Sequence, residues 1–551
     1  MPDLFNLLPH LAEIPRRLNE LMPRLAQAAL RQHEEIALLH ARFEAQRATL
    51  WQSFSQPQSP SPPRGPSDPR FASKLWRDIP YFDYLSQNYL LASQWIMDLV
   101  EILDLPPKDK EQFRFVARQW AEAASPANFA ATNPDVIAQA LDTQGESLKQ
   151  GQANFQRDWE RARLRMCDES AFEVGRNLAT TPGVVIYEND LIQLIQYQPR
   201  TPRVGRTPLL MVPPFINKYY ILDLVPENSF VRYALDQGLQ VFMISWRNIP
   251  AELGNLGWDD YAGKGIRAAM ETVLALTRSE ELHALGFCVG GTLLASALAS
   301  AVPPEKVASL TLLASLLDFA DPGEIGLYID EHYTSQCESQ YAQGGMVPGA
   351  QLASAFASLR SRDLIWKFAV QNYLLGETPA PFDLLYWNSD SANLPGRLYA
   401  WYLRHCYLEN QLKIPKALSI AGHACDLSRL RMPCYVLGTE LDHIVPWRGA
   451  YASAQLLGGD VEFVLGSSGH IAGVVSPPNS GRRSYRTARM ELPEAKEWLA
   501  ASHSHSGSWW PHWVQWLAKQ APSKTPKAAP IALGSKAFPP IEPAPGRYVK
   551  G

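Results

Sequence analysis

The pattern of apolar and polar positions changes near residue 183, where short apolar runs begin to alternate with helical stretches. The run "VVIYENDLIQLIQYQP" predicts a β-hairpin. Six further apolar runs predict single strands, at 208–214, 239–246, 282–287, 307–315, 432–440 and 461–468. Continuously apolar strands separated by helices are typical of a parallel sheet covered on both faces. Functional sites in such sheets form at the carboxyl ends of the strands.

The chain before residue 183 has a helical pattern. Residues 55–70, "SQPQSPSPPRGPSDPR", are too rich in Pro and Ser to join a core and predict a linker between a helical arm (1–54) and an all-α region (71–182). One apolar stripe follows the arm at steps of three and four: Leu4, Leu7, Leu8, Leu11, Ile14, Leu18, Leu21 and Leu25. Two interpretations stay open, namely packing on the protein or on a second copy, and adhesion to a lipid-like surface.

Composition narrows the class of protein. A chain of 551 residues with 46% hydrophobic and 19% charged residues is globular and long enough for two domains. Its net charge of -4 gives no basic excess for phosphates, so no nucleic-acid partner is expected. Six cysteines without a CxxC pair indicate reduced thiols and a cytoplasmic protein. We expect neither a signal peptide nor a transmembrane segment, because no apolar run approaches about 18 residues.

The segment "GFCVGG" at the end of the predicted strand 282–287 has the spacing of a nucleophile elbow, with a cysteine in the place of the usual serine. Such an elbow presents its central residue, here Cys288, at the carboxyl edge of the sheet. The N-terminus of the following helix points a partial positive charge at the sulfur, which favours the thiolate.

Two further residues complete a candidate triad. Asp442 in "GTELDHIVPW" and His470 in "GSSGHIAGVV" each follow a predicted strand. The order Cys288, Asp442, His470 is the order nucleophile, acid, base of α/β-hydrolases, and all three fall at the same sheet edge. We predict that His470 is the base and that Asp442 orients it.

An oxyanion on an attacked carbonyl needs two N–H donors. The backbone N–H of Val289 is the first candidate, and Phe215 or Ile216 in "VPPFINKYY" is the second, because the two preceding prolines cannot donate.

Other histidines and cysteines are weaker candidates. His443 is expected to be structural, and His423 with Cys425 lacks the second ligand pair of a metal site. Cys406, Cys425 and Cys434 are expected to be small buried apolar residues, although a mobile lid could change this for the first two. No metal and no cofactor are expected.

More than a hundred residues separate the predicted strands 307–315 and 432–440. This insertion, residues 318–430, is aromatic and apolar, and we expect it to form a lid that excludes water from the sheet edge. The sequence therefore predicts an α/β-hydrolase fold catalytic domain over residues 183–551, with a large lid insertion and a preceding all-α region.

The motifs "GFCVGGT", "PPFINKYYILDL", "GWDDY", "YWNSDSANLPG", "LDHIVPW", "SGHIAGVVSPP" and "GSWWPHWVQWL" resemble those of the polyhydroxyalkanoate synthases. The resemblance covers most of the chain from Asp68 onwards and is greatest to the single-subunit class for short-chain monomers (class I). It implies catalytic roles for Cys288, Asp442 and His470. It also implies a homodimer that acts on (R)-3-hydroxyacyl-CoA and a growing polyester at the surface of cytoplasmic granules, with granule-associated proteins as further partners.

A thiol suits that chemistry. Attack of a thiolate on an acyl-CoA exchanges one thioester for another and leaves the acyl group activated on Cys288, whereas a serine would hold it as a less reactive oxoester. CoA thioester is then the substrate, not a cofactor. Two alternatives remain at this point: a thioesterase or dienelactone-hydrolase-like enzyme with the same triad, and a non-catalytic scaffold on granules.

Overall fold

The computed structural model describes residues 13–56, 68–481, 483–520, 529 and 532–551. The chain divides into two units. The N-terminal unit contains the described residues up to Asp168 together with Ser354–Ala380, and the C-terminal unit contains Glu169–Ala353 and Pro381–Gly551. The middle of the predicted lid insertion therefore belongs to the unit formed by the N-terminal helices. No helix within the described ranges combines the length and the apolar character needed to cross a bilayer.

The N-terminal unit is helical. Within the described residues its α-helices before the sheet are α1 (Glu13–Arg31), α2 (His33–Ser55), α3 (Leu75–Asp78), α4 (Pro80–Ile102), α5 (Pro107–Ala123), α6 (Pro134–Asp142) and α7 (Glu146–Glu160). Leu21 and Leu25 of α1 are buried against Leu103 and Leu105, so this part of the apolar stripe packs within the unit. Leu4, Leu7, Leu8 and Leu11 of the stripe lie outside the described residues, as does most of the predicted linker.

A buried polar cluster joins α7 to the inserted segment 354–380 inside the N-terminal unit. The Asp158 carboxylate is fully buried and accepts hydrogen bonds from Arg165 Nε at 2.8 Å and from the Tyr373 hydroxyl at 2.9 Å. Asn154 Nδ2 donates to the carbonyl of Asn372 at 3.0 Å. Such a cluster favours one arrangement of α7 and the inserted segment, because a buried polar group is unfavourable without its hydrogen-bond partner.

An eleven-stranded sheet forms the centre of the C-terminal unit. Its strands are β1 (Gly183–Glu188), β2 (Ile192–Tyr197), β3 (Leu209–Val212), β4 (Val241–Trp246), β5 (Leu282–Phe287), β6 (Val307–Leu313), β7 (Cys434–Thr439), β8 (Val461–Gly466), β9 (Ser484–Thr487), β10 (His503–Ser506) and β11 (Glu542–Pro543). The order across the sheet is β10-β9-β8-β7-β6-β5-β3-β4-β2-β1-β11. The six strands from β8 to β4 are mutually parallel, and antiparallel strands extend both edges.

Side chains alternate between two apolar layers, as the two-residue period of a strand requires. In β4, Phe242 and Ile244 face one buried cluster, whereas Val241 and Met243 face the other. Both faces of the central strands are covered, which explains why these strands are apolar throughout. The predicted α/β-hydrolase-type architecture is confirmed, and each of the six predicted single strands contains one of the parallel strands. The antiparallel strands β9, β10 and β11 were not predicted, because they are short and polar.

The helices outside the N-terminal group flank the sheet or lie in the insertion. They are α8 (Phe230–Asp236), α9 (Ala268–Thr277), α10 (Val289–Leu298), α11 (Glu331–Tyr341), α12 (Gly349–Leu359), α13 (Asp383–Ser389), α14 (Gly396–Tyr402), α15 (Trp447–Ala454), α16 (His470–Val474), α17 (Ala495–Ala501) and α18 (Trp510–Gln520). A π-helical turn, Leu403–Leu408, continues α14. An antiparallel strand pair, 346–347 with 394–395, and a short hairpin, 419–420 with 423–424, also lie in the insertion.

The buried cluster predicts a local instability. Asp158→Ala leaves the half-buried Arg165 guanidinium and the Tyr373 hydroxyl without their carboxylate, a change that costs about 3–5 kcal/mol for a buried ion pair. Hydrogen exchange followed by mass spectrometry should show earlier opening of Ser354–Ala380. Lys149→Ala, which removes an exposed ion pair with Glu146 on the same helix α7, is the matched control and should leave exchange nearly unchanged. Equal protection in both variants would contradict a tethering role for Asp158.

Candidate active site

The turn from β5 to α10 holds Cys288 in a strained conformation. Its φ of 52° and ψ of -131° lie in a region that side chains other than glycine rarely adopt, at a cost of about 1–3 kcal/mol. The backbone N–H of Cys288 donates to the Leu313 carbonyl of β6 at 2.9 Å, which holds the turn to the sheet. The strain presents the thiol at the carboxyl edge, as the motif predicts.

Three glycines allow the close packing of this turn. A Cβ on Gly290 would lie 2.4 Å from the carbonyl oxygen of Pro213, and a Cβ on Gly286 would lie 2.4 Å from Cα of Gly291. A Cβ on Gly291 would meet the Ser315 hydroxyl at 2.1 Å. The first turn of α10 therefore lies directly against the end of β3 and the chain that follows it.

Asp442 and His470 meet at the same edge. Asp442 follows β7, and His470 is the first residue of α16, after β8. His470 Nδ1 lies 2.7 Å from Asp442 Oδ2, and both side chains are buried. It is His470, and not the adjacent His443, that pairs with Asp442. Since the carboxylate occupies Nδ1, the second ring nitrogen, Nε2, is the one that remains for the Cys288 sulfur.

Further donors fix the Asp442 carboxylate. Its Oδ1 accepts the backbone N–H groups of Ile444 at 2.9 Å and Val445 at 2.8 Å, and its Oδ2 accepts the Thr439 hydroxyl at 2.8 Å. Burial alone would raise the pKa of Asp442. The charge of His470 and these hydrogen bonds outweigh burial and hold the pKa below its ordinary value, so the group is an anion at neutral pH.

The histidine has the opposite shift. Burial alone would lower the pKa of His470, but Asp442 and Cys288 together raise it well above the ordinary value, and a hydrogen bond with the Cys288 side chain contributes. The Phe287 ring stacks on the imidazole at 5.6 Å between centroids, with 26° between the ring planes. The three candidate triad residues thus form one chain from sulfur to imidazole to carboxylate, which can move a proton away from the thiol.

The predicted oxyanion donors flank this chain. Val289 is the first residue of α10, and a backbone N–H at this position has no acceptor within the helix. After β3 the first residue with an N–H is Phe215, whose ring packs against Tyr261 and Trp246. Phe215 and Ile216 follow the Pro213 carbonyl that Gly290 approaches. The assignment of Val289, Phe215 and Ile216 as donors stays a prediction.

The insertion contributes aromatic residues that the sequence interpretation missed. Tyr402 ends α14 and Tyr407 lies in the π-helical turn that follows. Burial is the main cause that raises the pKa of both phenols, and the charge of Cys288 contributes to each shift, so both hydroxyls lie within electrostatic range of the sulfur. Phe319 packs edge-on against both, at 5.9 Å from Tyr402 and 4.9 Å from Tyr407. The sequence signal that could have identified these two tyrosines is the spacing of aromatic residues in "WYLRHCYLEN". The π-helical turn is a structural indication, because such turns are frequent at functional sites.

The remaining candidate residues lie elsewhere. Cys406, Cys425 and Cys434 are buried, with Cys425 Sγ 3.8 Å from the Ser296 carbonyl oxygen. His423 is exposed on a short hairpin. Across the described ranges, His, Cys, Asp and Glu side chains do not gather in any group of three or more that could hold a metal ion.

Family models match both parts of the chain. Residues 67–234 match the N-terminal region of poly-β-hydroxybutyrate polymerase, and residues 207–477 match the α/β-hydrolase fold. The second match spans the elbow and both partner residues. Fold and site together define an α/β-hydrolase-fold protein with a cysteine at the elbow.

Curated relatives specify the family. The chain is 45% identical to the poly(3-hydroxyalkanoate) polymerase subunit PhaC of Cupriavidus necator, over 93% of this chain and 88% of that protein. It is 38% identical to the poly(3-hydroxyalkanoate) polymerase of Methylorubrum extorquens, over 96% and 89% of the two chains. Polymerase 1 of Ectopseudomonas oleovorans is 36% identical, over 94% and 91%. The chain belongs to the poly(3-hydroxyalkanoate) polymerase family.

The pairing of Asp442 with His470 predicts a titration change. Asp442→Asn removes the carboxylate charge that raises the pKa of His470, so His470 should lose its proton at lower pH in the variant. NMR titration of ¹³C-histidine-labelled protein measures this, and His512 in the same spectrum is an internal control that should titrate alike in both proteins. A raised pKa stabilises the fold below the ordinary histidine pKa of about 6.5, and this contribution is lost as pH rises through the folded-state value.

The Asp442→Asn variant should lack most of this pH-dependent stabilisation of the fold. The difference in free energy of unfolding between wild type and Asp442→Asn should therefore shrink at alkaline pH. An unchanged titration of His470 in the asparagine variant would show that the Asp442 charge does not govern the imidazole.

Proposed function

We propose that this protein polymerises (R)-3-hydroxyacyl-CoA thioesters into a polyester, with release of CoA, through acyl groups carried on Cys288. The observation that carries the proposal is the continuous chain from the strained elbow cysteine through His470 to the buried Asp442. The names of the relatives supply the substrate class.

Acylation comes first. The Cys288 sulfur attacks the thioester carbonyl, and its proton passes to His470, whose raised pKa fits a proton acceptor held by an anion. Collapse of the tetrahedral intermediate expels the CoA thiolate, which takes the proton from His470. One thioester bond forms and one breaks, so the step is nearly balanced in free energy.

Elongation follows on the same residues. The 3-hydroxyl of a second acyl group attacks the thioester on Cys288, with His470 or the His470–Asp442 pair as the base. An oxoester bond forms, the thioester breaks, and Cys288 leaves as a thiolate. Oxoesters are less activated than thioesters, so this step proceeds downhill. Repetition extends the polymer.

Water exclusion supports transfer over hydrolysis. Water is present at about 55 M, so a positioned hydroxyl can compete only when its effective molarity is far higher, and effective molarities of about 10⁵ M and above are known. Phe319, Tyr402 and Tyr407 pack together as one aromatic group, and the two tyrosine hydroxyls lie within electrostatic range of the Cys288 sulfur. We assign water exclusion to this part of the insertion.

The proposal extends to assembly and place of action. A water-insoluble product accumulates as particles in the cell, so the enzyme is expected to act at the surface of such granules as a homodimer, with granule-associated proteins as further partners. These features come from the family resemblance, which also favours short-chain monomers.

Substitution of Cys288 tests the nucleophile. Cys288→Ala should abolish CoA release from (R)-3-hydroxybutyryl-CoA, because no other residue takes the acyl group. Cys288→Ser should be severely impaired in elongation even where it acylates, since an oxoester is a poorer acyl donor. Thiol release and insoluble polyester are measured together. Cys434→Ala, at another buried cysteine, in β7, is the control and should retain CoA release. Substantial turnover by the Cys288→Ala protein would place the nucleophile elsewhere.

The aromatic cover predicts a change of product. Phe319→Leu should leave space beside Tyr402 and Tyr407, admit water and raise the ratio of free 3-hydroxyacid to polymer several-fold, while acylation continues. Chromatography of products at matched CoA release measures this ratio.

Phe463→Leu is the matched control, because Phe463 is equally buried in the same unit but packs against Tyr451 and Trp498. Product ratios that are identical in wild type and in both variants would mean that selectivity against water arises elsewhere.

A further inference from the structure

The chain segment after β3, residues 215–220, is bound to the insertion at alternate residues. The Ile216 carbonyl accepts the backbone N–H of Ala392 at 3.1 Å, and the Lys218 carbonyl accepts Trp387 Nε1 at 2.7 Å. The Tyr220 hydroxyl donates to Asp390 Oδ2 at 2.8 Å. Trp387, which lies in the insertion, therefore holds this segment through its indole N–H.

The Lys218 side chain binds a second part of the chain. Its ammonium donates to the carbonyl oxygens of Val549 at 2.9 Å and Gly551 at 2.6 Å, and lies 3.7 Å from Asp390 Oδ1. The side chain is only 4% exposed. Burial of an ammonium group is costly unless carbonyls and a carboxylate compensate it, so the charge holds these groups together.

Residues 547–551, which we call the tail segment, are themselves anchored. The preceding strand β11 pairs with β1, and Val549 is 1% exposed. The Tyr548 hydroxyl donates to the Asn189 carbonyl at 2.8 Å, and the Arg247 guanidinium lies 5.3 Å from the centre of the Tyr548 ring. Lys218 thus connects the 215–220 segment to a fixed part of the sheet edge.

The other end of the 215–220 segment lies at the elbow. Gly290 of α10 approaches the Pro213 carbonyl so closely that a Cβ would not fit, and Trp246 Nε1 donates to the same oxygen at 2.9 Å. Pro213 and Pro214 have no N–H, so the first donor that this chain can offer to an oxyanion is Phe215 or Ile216. Lys218 lies two residues beyond.

We infer that Lys218 is a positioning residue for the acyl-transfer reaction: by clamping the tail segment and Asp390, its ammonium fixes the 215–220 segment so that a backbone N–H of Phe215 or Ile216 faces the carbonyl attacked by Cys288. Displacement of a donor by about 1 Å is enough to reduce a rate by about 100-fold. The inference rests on the proposed function only for the identity of the acyl substrate.

Two reactions of the same sulfur separate this role from a general structural one. Attack on a carbonyl forms an oxyanion and needs the donor, whereas alkylation by iodoacetamide displaces iodide and forms none. Both reactions need Cys288 and His470. A residue that acts through the donor segment changes the first reaction and leaves the second unaltered.

Lys218→Met is the variant, since it keeps the length of the side chain and removes the charge. The rate of Cys288 acylation at saturating (R)-3-hydroxybutyryl-CoA should fall about 100-fold with little change in KM, while alkylation by iodoacetamide keeps its rate. Lys218→Arg should restore most of the acylation rate, because a guanidinium can also donate to both carbonyls. Lys264→Met is the matched control, because it removes a lysine from a surface ion pair with Asp260, and both rates should equal those of wild type.

Parallel loss of acylation and alkylation in Lys218→Met would overturn the inference, because Lys218 would then act through the fold or the triad. Undiminished acylation would overturn it as well. The burst of p-nitrophenol from p-nitrophenyl butyrate repeats the test without CoA. If wild-type protein gives this burst but does not react with the acyl-CoA, the proposed substrate class is wrong, and the effect of Lys218→Met on the burst still decides the role of Lys218.

Discussion

The contact between the first turn of α10 and the ends of β3 and β5 is the constraint on which the candidate site depends. Gly286, Gly290 and Gly291 let three pieces of backbone approach to distances that a Cβ would prevent. The same approach forces Cys288 into a positive φ and brings the chain after β3 beside the sulfur. The same close packing therefore positions both the nucleophile and the chain that carries the candidate oxyanion donors.

The Asp442–His470 pair places a carboxylate and an imidazole side by side, so that each compensates the charge of the other. Both groups are buried, and an isolated charge there would be unfavourable, yet each shifts the pKa of the other towards the ionised form. The Thr439 hydroxyl and the N–H groups of Ile444 and Val445 keep the carboxylate oriented without help from solvent. The imidazole can therefore accept and return a proton with little rearrangement of its surroundings, which suits a reaction that repeats the same transfer many times.

The sequence predicted what local patterns determine. The central strands followed from continuous apolar runs, and Cys288, Asp442 and His470 followed from their places after strands, because parallel strands bring their carboxyl ends to one edge. Long-range contacts left no such signal. Tyr402 and Tyr407 come within electrostatic range of the sulfur although they lie more than 100 positions along the chain from it, and Lys218 meets residues more than 300 positions away. The assignment of Ser354–Ala380 to the N-terminal unit likewise depends on buried polar contacts such as Asp158 with Tyr373.

The insertion acts on the site from two directions within the C-terminal unit. Its π-helical turn contains Tyr407, whose hydroxyl lies within electrostatic range of the sulfur, and its helix α13, with the residues that follow, binds the 215–220 segment through Trp387 and Ala392. Displacement of α13 would break these bonds and release the segment that carries the candidate donors. The insertion therefore contributes to the proposed reaction in two ways. Its aromatic residues are assigned to water exclusion, and α13 with Ala392 holds the chain that would stabilise the oxyanion.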